Sequence, residues 1–357
     1  MLVAGLALLA AGCTTGGPPA KTNENKTGAT SEQKNEAPAG GTLKAVQDRG
    51  TLNCGVNKTV PGFGFINESG EYEGFDIDFC KAVAAAVLGD PSKVKYVPLT
   101  TDNRFTALQS REIDVLIRNS TFTASRDGEL GLTFVAPNYY DGGSIMVRAD
   151  SPYQKLADMK DVTVCVLSGT TNEQNLSNAF AARGNKYEPL SFEDNEQLQP
   201  AFEAKRCDGW FSDKSQLAGV RAAWPKSKGG PESLRILDEV YSKEPFSPVV
   251  RDGDSQWAQV VEWVVYATIQ AEEFGITQAN LDEMLKNENA DIAMFFGKGE
   301  EGKAFDPKLG LPVDFAAKVV RAVGNYGEIF DRNLGPETPL QLDRGINNLW
   351  TKGGLLY

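Results

Sequence analysis

Apolar and polar positions along this chain follow two periods. Runs rich in branched residues at 52–56, 94–98, 113–117, 162–167 and 209–211 read as strands. Between them, 75–88, 104–109, 172–182 and 195–204 carry apolar residues at helical spacing. This alternation predicts an α/β fold with mainly parallel sheets. Two further stretches, 139–148 and 241–251, look like extended crossings rather than members of the alternation. Near the C-terminus, 256–274 and 313–332 read as amphipathic helices that pack onto the part of the chain before the first crossing.

The N-terminus breaks this pattern. Residues 2–12 are apolar and only about a dozen in number, too short to span a bilayer and of the length of a signal-peptide core. The run closes on Ala10-Ala11-Gly12-Cys13, which resembles a bacterial lipoprotein signal, although no Lys or Arg precedes it and alanine stands at position 10 where leucine is commonest. That resemblance implies a signal peptide over 1–12 and lipid on Cys13. Residues 14–41 contain no aromatic or branched aliphatic side chain, so they bury too little surface to offset their ordering entropy and are expected to form a flexible tether, 13–41, ahead of the folded body.

Composition narrows the chemistry. At 357 residues the chain is long enough for two compact units. Its 36 Lys and Arg against 48 Asp and Glu leave a net charge of -12, without the basic surface that nucleic acid demands. Histidine is absent, which removes His-based triads and His-ligated metal sites. No cofactor and no metal site is expected. Besides Cys13 there are four cysteines, Cys54, Cys80, Cys165 and Cys207, for which three pairings are possible.

The most informative segment is Asp114-Val-Leu-Ile-Arg-Asn-Ser-Thr-Phe-Thr-Ala-Ser-Arg126. An apolar strand runs into a hydroxyl-rich turn with the look of a helix N-terminus, a natural anion site, and then into Arg126, whose planar fork matches both oxygens of a carboxylate.

From Asp102 to Tyr140 the order of motifs resembles the bacterial extracellular solute-binding proteins that serve polar amino-acid transporters, in the branch of the general L-amino-acid-binding proteins. Further matches stand at Gly74-Phe75-Asp76-Ile77-Asp78, at Val164 to Thr171 and at Cys207-Asp208-Gly209-Trp210-Phe211-Ser212-Asp213. The resemblance covers roughly residues 42–357. It implies a two-lobe periplasmic-binding-protein (Venus-flytrap) fold with two hinge crossings, lobe one being 42–142 plus 247–357 and lobe two 143–246. Pairing Cys54 with Cys80 and Cys165 with Cys207 would keep each bridge inside one lobe.

The resemblance also implies the site. Arg126, Thr121 and the Asn119 backbone would hold the carboxylate of a free amino acid, Thr171 would add donors from lobe two, and Asp213 would accept the ammonium. Arg104, with Thr101 on the same loop, would face the ligand's side chain, and Phe63 and Phe65 would cover it. The implied protein is a monomeric, non-enzymatic carrier, held by lipid at the periplasmic or cell surface, that passes amino acids to a membrane-embedded ABC permease. Two alternatives share the fold: an enzyme such as a cyclohexadienyl dehydratase, and a ligand-sensing module of a receptor.

Overall fold

The computed structural model describes residues 41–300 and 303–357, so the expected signal peptide, Cys13 and most of the tether lie outside the described residues. Strands assemble into two five-stranded sheets. The first has the order Val94–Pro98, Leu52–Val56, Val115–Leu116, Val249–Arg251 and Leu132–Phe134. The second runs Tyr187–Phe192, Val162–Leu167, Gly209–Asp213, Gly143–Arg148 and Leu234–Ile236. Each sheet is the centre of one lobe, with helices on its faces.

The chain passes from one sheet to the other twice. Tyr139–Asp141 and Glu244–Phe246 pair antiparallel as a two-stranded ribbon, with Glu244 opposite Asp141. This traffic explains a departure from the sequence reading. The sheets are mixed rather than mainly parallel, because the strands leaving the ribbon, Gly143–Arg148 and Val249–Arg251, run antiparallel to their neighbours.

Most predicted elements form at or near their expected bounds. Phe75–Leu88 is an unbroken helix, stopped at Gly89 with φ 72°, a left-handed turn that glycine adopts without steric penalty. Three expectations change. The strand over 113–117 contracts to a ladder at Val115–Leu116. The helix over 313–332 divides at Gly324, φ 83°, into Phe315–Val323 and Tyr326–Asn333, the second opened by a reciprocal Asn325–Glu328 capping box. A helix, Gly41–Arg49, stands where the tether was expected to end; its Thr42 N–H donates to Asp254 at 2.7 Å and its Thr42 Oγ1 accepts from Arg251 at 2.8 Å.

The largest core joins the first sheet to the C-terminal helices. Trp257, Val260, Val261, Val264 and Val265 of the helix Ser255–Glu273 are buried, and Trp257 Nε1 donates to the Asp114 carbonyl at 2.9 Å. Phe63, Phe75, Tyr139 and Phe246 form one aromatic cluster within it, with Phe63 5.2 Å from Tyr139 and 6.0 Å from Phe246. Tyr139 and Phe246 belong to the ribbon itself, so the crossing point between lobes is anchored in the core.

Cys54 pairs with Cys80 and Cys165 with Cys207, tying a central strand to a helix in the first lobe and a strand to the loop before the next strand in the second. The bridges close segments of 26 and 42 residues. By loop-closure entropy they stabilise by about 3.5 and about 4 kcal/mol. Replacing either pair by alanine is expected to lower the urea midpoint of unfolding by a corresponding amount, and midpoints equal to wild type would contradict a structural role.

Candidate functional site

Between the two sheets lies a polar cleft of about 20 Å³ free volume. Its walls come from both lobes: Thr101, Arg104, Arg118, Thr121 and Arg126 on one side, Thr170, Thr171, Asn172, Asp213 and Gln216 on the other. The lobes are closed upon it. Thr101 Oγ1 donates to the Glu193 carbonyl at 3.0 Å, Arg104 Nη2 to the Gly169 carbonyl at 3.3 Å, and Lys58 Nζ pairs with Glu196 at 2.9 Å.

Local folding places each wall. The Thr123 side chain caps the short helix Ala124–Glu129 by accepting from the Arg126 N–H, which sets Arg126 one turn in. Its guanidinium then donates to the Thr121 carbonyl at 2.9 Å and lies 5.3 Å from the Phe105 ring centroid. Opposite, Thr170 caps the helix Thr171–Ala181 by accepting from Glu173 N–H, so that the first N–H groups of this helix open toward the cleft. Asp213 ends its strand there and accepts from Asn172 Nδ2 at 3.1 Å.

The electrostatics are those of charges kept from water. Arg104, 3% exposed, has its guanidinium pushed well below the ordinary range by burial and then by Arg118 and Arg126, and its Nε has no hydrogen-bond partner. Burial brings Arg118 down to about 10 and lowers Arg126 too. Asp213, 5% exposed, is raised well above the usual carboxylate range by burial, then by Asp141 and Glu244. Burial also lifts Asp141 to about 6. The cleft thus has a cationic wall, on which Arg104 Nε is left without a partner, and an anionic wall facing it. Among the described residues, no group of three or more His, Cys, Asp or Glu is placed to hold a metal ion.

Of the residues singled out in the sequence, Thr101, Arg104, Asn119, Thr121, Arg126, Thr171 and Asp213 line this one cleft. Two expected roles change in detail. The Asn119 N–H, which the resemblance directs at a ligand carboxylate, donates instead to Asp76 Oδ2 at 2.9 Å, in a turn where Asn119 has φ 33°. The hydroxyls of Thr121 and Thr171 both donate to Glu244. The two phenylalanines are elsewhere. Phe63 is 1% exposed in the aromatic core, and Phe65 lines a separate groove with Pro61, Gly62 and Arg332.

Among the residues at or beside the cleft that no sequence motif singles out are Asn57, Arg118, Asn172, Gln216 and Glu244. Arg118 donates through Nε to the Leu99 carbonyl at 2.9 Å, and an arginine ending an apolar strand is the signal that could have found it. Glu244 is buried on a crossing strand, and no local motif marks it.

Residues 52–301 match the family described as bacterial extracellular solute-binding proteins, family 3. The chain is 48% identical over 316 residues to a general L-amino acid-binding periplasmic protein of Rhizobium johnstonii, covering 88% of this chain and 91% of the relative. It is likewise 48% identical over 323 residues to a glutamate/glutamine/aspartate/asparagine-binding protein of Rhodobacter capsulatus, covering 90% and 93%. In three dimensions it is similar to a periplasmic binding protein from Brucella ovis with glutathione bound, with a TM-score of 0.84 at 46% identity, covering 88% of this chain and 98% of that one.

Behind the cationic wall, burial pushes the Asp76 carboxyl up to about 7, against the lowering effect of the Asn119 N–H and of Arg118. The folded state therefore holds this proton more tightly than the unfolded chain. Its contribution to stability is complete below the ordinary 3.8 and is lost as pH rises through about 7. Asp76→Asn, which keeps an acceptor for Asn119, is expected to flatten that decline. Denaturant unfolding across this pH range checks it, and a slope like that of wild type would contradict the assignment.

Proposed function

This chain belongs to the bacterial extracellular solute-binding proteins, family 3, and from that membership we propose that it binds free L-amino acids, polar or acidic ones foremost, and delivers them to an ABC-type permease. The lobes are 42–142 with 247–357, and 143–246, and they open and close about the paired crossings at Asp141–Gly143 and Phe246–Ser247. Cys13 carries the lipid that holds the protein, as a monomer, at the outer side of the membrane. It has no catalytic role.

The observation that carries this reading is the placement of Arg126 and Asp213 on opposite walls of one closed cleft. An amino acid brings one anion and one cation, and desolvating either without a partner is expensive. Arg126, with the first N–H groups of the helix Thr171–Ala181, receives the carboxylate. Asp213 receives the ammonium. Arg104, with Thr101 beside it, addresses the side chain; its unpartnered Nε suits an acidic or amide group.

Asp213 supplies a pH signature. Its carboxyl is raised by burial and by Asp141 and Glu244, so a proton competes with the ammonium for the same oxygens. Affinity is expected to hold above that elevated range and to fall as pH drops through it, with one proton released on binding at the lower pH. Arg126→Ala and Asp213→Ala, shown folded by circular dichroism, should each lose about 2 to 5 kcal/mol of binding, because each strands a buried ligand charge. Calorimetric titration measures both effects. A folded variant that binds within about threefold of wild type, well under 1 kcal/mol, would remove that residue from the site.

A further inference from the structure

The helix Ser255–Glu273 carries a second concave surface. Trp257, Val260, Val261, Val264 and Val265 face the core, whereas Trp263, Tyr266, Gln270 and Glu273 follow one another at helical spacing along a stripe that is not buried. The C-terminal segment packs beside that stripe. Its Leu349 and Leu356 are buried and bridge to each other, and the Trp350 N–H donates to the Leu356 carbonyl at 2.8 Å. Pinned in this way, the segment leaves Trp350 and Tyr357 exposed. Trp263 is 46% and Trp350 50% exposed, a large apolar area to leave in water. Trp350 Nε1 donates to Glu273 Oε1 at 3.1 Å, which joins the segment to the helix across a groove of about 440 Å³.

The lining of this groove selects for positive charge. Two tryptophans, two tyrosines, Ile269, Gln270 and Glu273 make it up, with no Lys or Arg among them. Its rings meet at an angle instead of stacking face to face: Trp263 and Tyr266 are 5.6 Å apart at 68°, Trp350 and Tyr357 5.6 Å apart at 56°. Aromatic faces carry negative potential and attract a cation placed within about 6 Å of the ring centre. Glu273 adds a full charge. Its neighbour Glu272 is already paired with Arg344 at 3.0 Å and Lys352 at 3.8 Å, whereas Glu273 forms no ion pair among the described residues. A primary ammonium has three N–H donors that need acceptors once desolvated. A methylated ammonium has none, so ring faces and an apolar floor such as Ile269 are enough to receive it.

We propose that this groove is a second binding site, separate from the cleft, for a small methylated ammonium compound. The cationic head group rests against the rings of Trp263, Tyr266, Trp350 and Tyr357, and Glu273 supplies the counter-charge. None of these residues lines the cleft, so the site stands or falls apart from the amino-acid reading.

The test sets choline against 3,3-dimethyl-1-butanol, which has the same shape without the charge, in ligand-observed NMR titrations of the full chain. Choline is expected to bind with a dissociation constant of about 1 mM, as suits a few ring contacts at an exposed site, and the neutral analogue at least about fivefold more weakly. Glu273→Gln, which keeps an acceptor for Trp350 Nε1, should weaken choline about threefold and leave the neutral analogue unchanged. Trp263→Leu, which keeps an apolar side chain, should weaken choline about fivefold or more. Glu273 is exposed, so Glu273→Gln keeps the fold and decides should Trp263→Leu not fold. Saturating L-glutamate is expected to leave choline binding unchanged. Equal binding of choline and its neutral analogue would overturn the proposal, since the groove would then read only apolar shape. Displacement of choline by L-glutamate would overturn it by placing the cation in the cleft. No response to free choline would overturn it too, and would give the surface to a membrane if the protein pellets with phosphatidylcholine vesicles, or to a second copy if it sediments as a dimer that Trp263→Leu dissociates.

Discussion

Charge held out of water at the junction of two lobes is the constraint on which this molecule turns. Arg104, Arg118, Asp213 and Glu244 are all buried, and Arg126 is nearly so. Such groups persist in a fold only when each finds a partner or a purpose. Glu244 finds four hydrogen-bond donors within the protein. Arg104 and Asp213 do not reach that level of satisfaction, and both are shifted by burial away from their charged forms. On the function proposed above, a zwitterion would fill the deficit on both walls at once. Amino-acid binding is thus the complement of an imbalance written into the closed cleft.

The rest of the structure serves to hold that imbalance in place. The antiparallel ribbon brings Glu244 opposite Asp141, and Asp141 accepts from the N–H and hydroxyl of Ser215 at the start of the helix that follows Asp213. Phe63 and Phe75 pack against Tyr139 of the ribbon, and Phe63 also against Phe246, which ties the ribbon to the core. A disulfide in each lobe narrows the unfolded ensemble rather than shaping the cleft. The proposed function implies ligand-dependent closure, because the two walls would gain contacts to one small molecule only when they meet.

Much of this is legible in the chain. The segments 52–56, 75–88, 94–98, 104–109 and 162–167 form as their periodicity indicates, since each is bounded by turn residues and contains no competing signal. Arg126 and Asp213 follow from ordered motifs. What escapes is whatever depends on topology. Glu244 meets Thr121 across 123 positions, and only the double crossing makes them neighbours. The Asn119 N–H is taken by Asp76 because a left-handed turn aims it there, which no residue type announces. Phe63 and Phe65 fail as ligand cover because an aromatic in a loop reads alike whether it faces a cleft or a core; here Phe63 is core. The helix over 313–332 breaks at Gly324, a tolerated interior glycine by sequence alone and a left-handed stop once φ is known.

The central claim is that one cleft grips the carboxylate and the ammonium of the same ligand. Calorimetric titration of protein unfolded, freed of ligand and refolded tests it most directly, with free L-amino acids set against analogues that lack one charge: the amine without its carboxylate and the hydroxy acid without its ammonium. The account predicts saturable one-to-one binding of amino acids, in the range of about -8 kcal/mol, and a loss of several kcal/mol with either analogue. No heat with any amino acid, or an analogue bound as tightly as its parent, would contradict it.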